Sequence, residues 1–288
     1  LSILWILPTT LMAGPAGFAA YVAFKELRKM WKSVTNSGSN PVLVLLYVAA
    51  SGLSLMMISW VLVFPSSWLA GNSDLHDLAI EKLIDEKQVP LSIVQKYNGH
   101  RAIQFTHILP SAVWAALIPL QLNPNLRKLY RRAHRRSGYV FFCTGFLMMI
   151  GFFLIDMRQL DFIHHDFADM RSDDRQAESL SRIGLSWVDH ILFARCLALW
   201  FIASAALALW KACKKDFAGH QRFILRHIAS GLWVAVQRLY ALNAQVSTRA
   251  SQKANFGDGI SIGVFVTFGC AELAIFLLDA QKSSRKMQ

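Results

Sequence analysis

Residues 127–156 read RKLYRRAHRRSGYVFFCTGFLMMIGFFLID, a basic stretch that is followed by a long apolar run. A run of about 20 apolar residues crosses the hydrocarbon core of a bilayer as an α-helix. Lys and Arg are enriched on the cytoplasmic side of membrane proteins, so the arginines before Ser137 predict which end of this helix faces inward. The stretch therefore indicates a transmembrane helix together with its direction.

The composition of the whole chain indicates the same class of protein. Of the 288 residues, 54% are hydrophobic and only 17% are charged, and the mean hydropathy is +0.35. A soluble domain has about a quarter of its residues charged. The composition therefore excludes an ordinary soluble enzyme, a disordered chain and a disulfide scaffold, and it predicts an integral protein of a plasma or organelle membrane.

Seven apolar runs of this length predict an all-α, polytopic bundle of seven transmembrane helices. Each run must be helical because lipid offers no partner to unpaired backbone N–H and C=O groups. The first run lacks a basic start and a cleavage site, so we interpret it as a span and not as a signal peptide. Because the chain begins with Leu1 and not with Met, we also expect residues upstream of it. The seven runs are 1–24, 41–64, 103–122, 137–156, 187–210, 222–243 and 259–280.

The charges between the runs predict the orientation of the chain. One set of alternate segments holds 17 Lys and Arg against 3 acidic residues, and the other set holds 10 against 13. The Lys/Arg bias places the first set inside, with the N-terminus outside and the C-terminus inside. We interpret the net charge of +12 as this topology signal plus attraction to anionic lipid headgroups, and we expect no nucleic-acid partner. The inner segments are 25–40, 123–136, 211–222 and 279–288.

The runs divide the chain into four predicted parts. Residues 1–64 are two N-terminal packing helices, and residues 65–102 are an outer segment with an amphipathic surface helix over 74–87. Residues 103–243 are a four-helix core that carries a cluster of His and Arg. Residues 244–288 are the seventh helix and a basic inner tail.

Neither the four cysteines nor the acidic outer segment has the spacing of a zinc site. The cysteines include no Cys-x-x-Cys motif, and we predict that they are small buried hydrophobic residues. The stretch 161–178, which includes His164, His165 and Asp166, favours a solvated acidic loop. The cysteines are Cys143, Cys196, Cys213 and Cys270.

Histidines mark alternate ends of four successive predicted helices. With about 1.5 Å of rise per residue, His107 and His190 fall near the outer surface, and His134, His220 and His227 fall near the inner surface. Ionisable groups in a span are costly and are usually functional. The plainer alternative is that each histidine lies at the headgroup level and binds lipid phosphate or a backbone carbonyl.

Two haem groups, one in each leaflet, would need this alternation, because two imidazoles clamp each iron. The outer pair would be His107 with His190, and the inner pair would be His134 with His220 or His227. The arrangement resembles the four-helix core of the ascorbate-dependent two-haem cytochromes b, which carry one haem-ligand histidine on each of four successive helices. This resemblance implies haem b as a cofactor and electron transfer across the bilayer as the function.

Four charged residues accompany the histidines. Arg226 and Arg238 lie at depths where they could pair with haem propionates. Arg195 and Glu272 lie within the fifth and seventh spans as intramembrane charges. For Arg195, Arg238 and Glu272, the alternative is interhelical charge pairing that fixes the packing.

Three motifs lie along residues 100–245. They are His107 with Pro119-Leu120-Gln121, then His134-Arg135-Arg136-Ser137-Gly138, then His220-Gln221-Arg222-Phe223-Ile224-Leu225-Arg226. Together they resemble a group of predicted membrane proteins named domain-of-unknown-function family 2306, whose later Leu-Arg would correspond to Arg238. The chain departs from the family pattern at Gln221 and Phe223, where Arg and Trp are usual. The resemblance implies a fold and an inner pair of His134 and His220, and it implies no activity.

Two other functions fit the sequence. A non-enzymatic membrane subunit or assembly factor would use the basic run 125–136 with Lys214 and Lys215 to bind lipid headgroups or a partner complex. A carrier or a lipid-modifying enzyme would instead have an intramembrane pocket. That pocket would be walled by His107, Gln121, Arg195, Arg238 and Glu272. The chain has no hydrolase or P-loop motif, so no catalytic residue is assigned.

Overall fold

The computed structural model describes residues 41–63, 96–97, 99–123, 127, 129–166, 181, 190–243, 246 and 248–286. These residues form six long helices and contain no β-strand. The chain divides into two units after Ala49, and the core described below lies in the unit that begins at Ala50. The helices are α1 (Pro41–Val63), α2 (Arg101–Leu122), α3 (Arg131–Met157), α4 (His190–Cys213), α5 (Phe217–Asn243) and α6 (Arg249–Lys286).

Five of the six described helices are long and apolar enough to cross a membrane, which is compatible with an integral membrane protein. The prediction of an all-helical chain of apolar, span-length segments is therefore confirmed for the described residues. The exception is α5, which is long enough but carries several charged and polar side chains. Seven spans and the direction of the termini stay predictions, and the run 1–24 and the surface helix over 74–87 lie outside the described residues.

Several helices are longer than the apolar runs that predict them. α3 begins at Arg131 where the apolar run begins at 137, and α5 begins at Phe217 where its run begins at 222. Arg, Lys, Gln and Ala are good helix formers, so a helix continues through them where the hydropathy falls. As a consequence, His134 lies inside α3, whereas the sequence places it before the start of its span.

α2 and α3 are antiparallel neighbours, and glycines on α3 face polar and aromatic side chains on α2. A Cβ added to Gly151 would lie 2.5 Å from the Cβ of His107, so only glycine permits this approach of the two helices. The packing at Gly138 and Gly145 is looser, since an added Cβ would lie 3.5 Å from Gln121 and 3.4 Å from Trp114. The contacts run in order along both helices, from His107 with Gly151 to Gln121 with Gly138.

The centre of the bundle is an aromatic cluster supplied by four helices. Trp114 of α2 stacks on Phe141 of α3 with 5.4 Å between ring centroids, and it meets Phe201 of α4 at the same separation. His227 of α5 lies edge-on to Trp114 and Phe141. All four side chains are at most 3% exposed. Apolar burial therefore ties α2, α3, α4 and α5 together at mid-height.

α6 packs antiparallel along α5 through small residues and ion pairs. A Cβ added to Gly263 would lie 2.5 Å from the backbone oxygen of Trp233, so glycine lets the two helices approach closely. Further along the pair, Arg226 and Arg222 of α5 bond to Glu272 and Asp279 of α6. The charges on α5 are thus neutralised by its neighbour.

Candidate functional site

The structure brings His134 and His220 together at one end of the bundle. His134 lies in the first turn of α3, His220 lies in the first turn of α5, and the two side chains are within electrostatic range of each other. Nδ1 of His134 is buried and has no hydrogen-bond partner among the described residues. A buried polar atom without a partner is uncommon in a folded protein, and it is compatible with a ligand at this position.

His220 is oriented by a backbone hydrogen bond. Its Nδ1 donates to the carbonyl oxygen of Ala208 on α4, at 2.8 Å. Because a carbonyl oxygen only accepts, the proton is on Nδ1, and the neutral ring keeps a lone pair on Nε2. Metal-binding histidines are held in this way, with one ring nitrogen donating to a carbonyl while the other binds the metal.

Asp216 holds the start of α5, and so it positions His220. It precedes the first helical residue, and its Oδ1 accepts a hydrogen bond from the backbone N–H of Gly219 at 2.8 Å. Lys211 of α4 lies 3.0 Å from the other carboxylate oxygen. These two donors lower the pKa of Asp216 below its ordinary value, first through the Gly219 hydrogen bond and then through Lys211. An aspartate at this helix cap stabilises the first turn, which carries His220.

Gln121 joins α2 to the same end of the bundle. Its side-chain amide donates to the hydroxyl of Ser137 at 2.8 Å and to the carbonyl of His134 at 3.5 Å. The end therefore contains residues from all three sequence motifs, since Gln121 closes the first, His134 opens the second and His220 opens the third.

His227 occupies the centre of the core and not the end at which the sequence places it. Its Nδ1 donates to the Phe201 carbonyl at 3.0 Å, and its Nε2 accepts from the indole N–H of Trp114 at 3.1 Å. The side chain has no exposed surface. With both ring nitrogens bonded inside the protein, an iron could be reached only if the bond from Trp114 were broken. Of the two alternatives for the inner pair, the geometry therefore favours His220.

His107 lies in a π-helical turn of α2, Gln104–Ile108. Its Nδ1 donates to the carbonyl of Met148 on α3 at 2.9 Å, which leaves the lone pair of the neutral ring on Nε2. π-Helical turns inside α-helices are frequent at functional sites. His107 thus has the same type of orienting bond as His220, at the opposite end of the bundle.

The structure describes the backbone of His190, the partner expected for His107. His190 is the first residue of α4, but its side chain is outside the described residues. Near it, Arg195 of α4 donates to both carboxylate oxygens of Asp156 on α3, at 3.1–3.2 Å. This bond joins α3 and α4 at the end of the bundle away from His134, and it places Arg195 in an interhelical ion pair.

The remaining charged candidates each have an interaction within the bundle. Arg226 makes a bidentate ion pair with Glu272, with distances of 2.7 and 2.9 Å. The guanidinium of Arg238 lies 5.0 Å from the centre of the Phe256 ring. The pairing of Arg226 and Arg238 with haem propionates stays a prediction.

One buried ion pair, between Lys96 and Asp166, was not predicted from the sequence. Lys96 lies 2.8 Å from Asp166, whose side chain has no exposed surface, and His165 donates to the second carboxylate oxygen at 3.2 Å. Arg249 of α6 donates to the backbone oxygen of Asp166. The interpretation of a solvated acidic loop is therefore wrong at Asp166. In the sequence, the burial of Asp166 is indicated only by its position one turn after the apolar Phe162.

The described part of the chain also bears on metal ligands and on the cysteines. It contains no group of three His, Cys, Asp or Glu residues that would hold a metal ion. The four cysteines are exposed on the helix surfaces, so the prediction that they are buried is wrong. The apolar outer faces of the helices accommodate a thiol as readily as the core does, and hydropathy does not separate the two locations.

Comparison with known proteins gave no relatives from which a role could be transferred. No family model matches the chain, and no curated protein and no solved structure is significantly similar to it. The resemblances to domain-of-unknown-function family 2306 and to the two-haem cytochromes b therefore stay predictions.

Proposed function

We propose that this chain is an integral membrane protein that binds haem b and passes electrons across the bilayer. The observation that carries the proposal is the buried, unsatisfied Nδ1 of His134 beside His220, whose ring is fixed by the Ala208 carbonyl. Two imidazoles from neighbouring helices are the ligand set of a low-spin b-type haem. The residues at this end are therefore of the right chemical type for the cofactor.

Each side chain has a definable role under this proposal. His134 and His220 would hold the iron at the inner end, and His107 with His190 would hold a second one at the outer end. The carbonyls of Ala208 and Met148 fix the rings of His220 and His107. Haem supplies a one-electron carrier when bound, and its potential depends on ligand orientation and burial.

The aromatic cluster separates the two ends under this proposal. Trp114, Phe141 and Phe201 fill mid-height of the bundle and are nearly inaccessible to solvent. Close packing leaves no room for a continuous water chain between the ends. The cluster would therefore let electrons move by tunnelling while it blocks the leakage of ions.

A second candidate function is a membrane subunit that binds anionic lipid or a partner complex. The observation that favours it is the start of α3, where Arg131, Arg132, Arg135 and Arg136 are all exposed. Juxtamembrane basic clusters attract anionic headgroups. The alternative of an intramembrane carrier or lipid-modifying pocket has less support, because its five expected wall residues are held by five different partners.

The test is a reduced-minus-oxidised visible spectrum of the protein purified in detergent from haem-replete cells. We expect a sharp α-band of low-spin haem b. The His134→Ala variant should lose the part of this band that comes from the inner haem and keep the part from the haem between His107 and His190. His100→Ala is the matched control, because the His100 ring accepts a hydrogen bond from Arg158 near the opposite end, and this variant should keep the full band. A colourless protein would contradict the haem proposal, and if it retained anionic lipid through purification it would support the second candidate.

A further inference from the structure

The Arg226–Glu272 ion pair is only partly covered by the bundle. Its side chains remain 27% and 52% exposed, although both lie along the α5–α6 contact. Glu272 is the single charged residue in the stretch 259–278 of α6. It precedes Asp279, at the end of that stretch, by seven residues, which corresponds to about 10 Å along the helix. A half-exposed ion pair at this depth would face hydrocarbon, where charges are costly.

The exposed face of α6 next to this pair is apolar and open. Phe265, Gly269, Leu273 and Phe276 recur at helical spacing and are exposed, with the two phenylalanines at 69% and 68%. An added Cβ at Gly269 would meet nothing within 4 Å. Small residues on transmembrane helices allow a second helix to approach closely. The face thus combines a small residue, aromatic side chains and a partly exposed ion pair.

We infer that this face of α6 is covered by the same face of a second copy of the chain. A second copy brings an Arg226 and a Glu272 at the same depth, because two copies inserted in the same direction are related by a two-fold axis along the membrane normal. Each arginine can then face the glutamate of the partner as well as its own. The face is self-complementary in charge, as a two-fold contact requires.

The two N-terminal apolar runs do not offer this complementarity. Residues 1–24 and 41–64 contain no Asp, Glu, Lys, Arg or His. Packed against the α6 face, they would cover the phenylalanines but leave the exposed part of the ion pair without a charged partner. Lipid tails would leave it in the same state. Only a surface with charges at this depth satisfies both parts of the face.

Disulfide cross-linking in native membranes tests this contact. The four native cysteines are exposed and can be replaced by Ser, and Gly269→Cys then places one thiol at the centre of the face. Under mild oxidation, we expect a covalent dimer. Leu199→Cys on α4 is the matched control, since Leu199 is apolar and 60% exposed but lies on another helix, and it should give no dimer above background.

Charge reversal provides a second test that does not depend on cysteine. Glu272→Arg alone should lower the Gly269→Cys cross-linking about tenfold, and adding Arg226→Glu should restore it because both copies regain complementary pairs. Three results would overturn the inference. The Leu199→Cys control could cross-link as well as Gly269→Cys, or the protein could be a monomer by analytical ultracentrifugation in detergent. The third is cross-linking of Gly269→Cys to a cysteine placed within residues 1–24. None of these outcomes depends on whether the protein binds haem.

Discussion

Replacement of His227 by Phe separates its structural role from that of a cofactor ligand. The phenyl ring has no acceptor for the indole N–H of Trp114, which would then be buried without a hydrogen bond, at a cost of about 1–3 kcal/mol. Loss of the hydrogen bond from His227 to the Phe201 carbonyl costs little, because this carbonyl still accepts from the hydroxyl of Ser204 at 3.1 Å. The larger phenyl ring must also fit at position 227, where the centroid of the His227 ring lies only 4.1 Å from that of Phe201. Overpacking of this kind costs roughly 1 kcal/mol or more in addition.

We therefore expect His227→Phe to lower the free energy of unfolding by about 2–4 kcal/mol, or Tm by roughly 5–15 °C for a chain of this size. The assay is thermal unfolding in detergent, followed by circular dichroism, with the haem spectrum recorded at low temperature. His220→Phe is the matched control at the end of the same helix, where we expect a smaller loss of stability and the loss of the inner haem. If His227→Phe lost the haem but kept the Tm of the parent protein, the reasoning from the Trp114 contact would be refuted.

Two more predictions concern the Lys96–Asp166 ion pair and the cap of α5. Asp166→Asn leaves the ammonium of Lys96 buried without its counter-charge, so we expect a loss of about 3–5 kcal/mol in chemical unfolding, most of which Lys96→Met should recover in the double variant. A single Asp166→Asn variant as stable as the parent protein would argue against the burial of this pair. Because the folded-state pKa of Asp216 is lowered, its charge stabilises the fold above the ordinary Asp pKa of about 3.9 and stops doing so as the pH falls through the folded pKa. The difference in Tm between the parent protein and Asp216→Asn should thus be constant near neutral pH and shrink below about pH 4, and a difference that persisted in strong acid would contradict this account.

The helices themselves were predictable because burial in lipid demands apolar runs of a fixed length. The run at 41–64 corresponds to α1, and that at 103–122 corresponds to α2 to within two residues. The ends of α3, α5 and α6 were less predictable, since hydropathy reports where a helix is apolar and not where its backbone stops being helical. This difference placed His134 outside its helix and His227 too close to an end.

The candidate site was predictable in its residue types and only partly in its geometry. The alternation of histidines along four helices needs only the helical rise, and it predicted that His134 lies at the same end as His220 and His227. The choice between His220 and His227 depends on which ring nitrogens are already bonded, and those bonds come from Trp114 and Phe201 on other helices. The Lys96–Asp166 pair joins residues 70 positions apart, so no local sequence pattern predicts it.

The polarity of α5 also bears on how the protein is made. On its own, this helix falls short of the apolarity that lets the neighbouring segments enter a bilayer. Two of its arginines, Arg222 and Arg226, have carboxylate partners on α6, which the ribosome synthesises afterwards. We therefore expect α5 to leave the insertion machinery together with α6, as a helical hairpin whose charges are already neutralised. A chain truncated before Glu272 would present Arg222 and Arg226 to lipid or to the machinery without their partners, which would make it a substrate for membrane quality control.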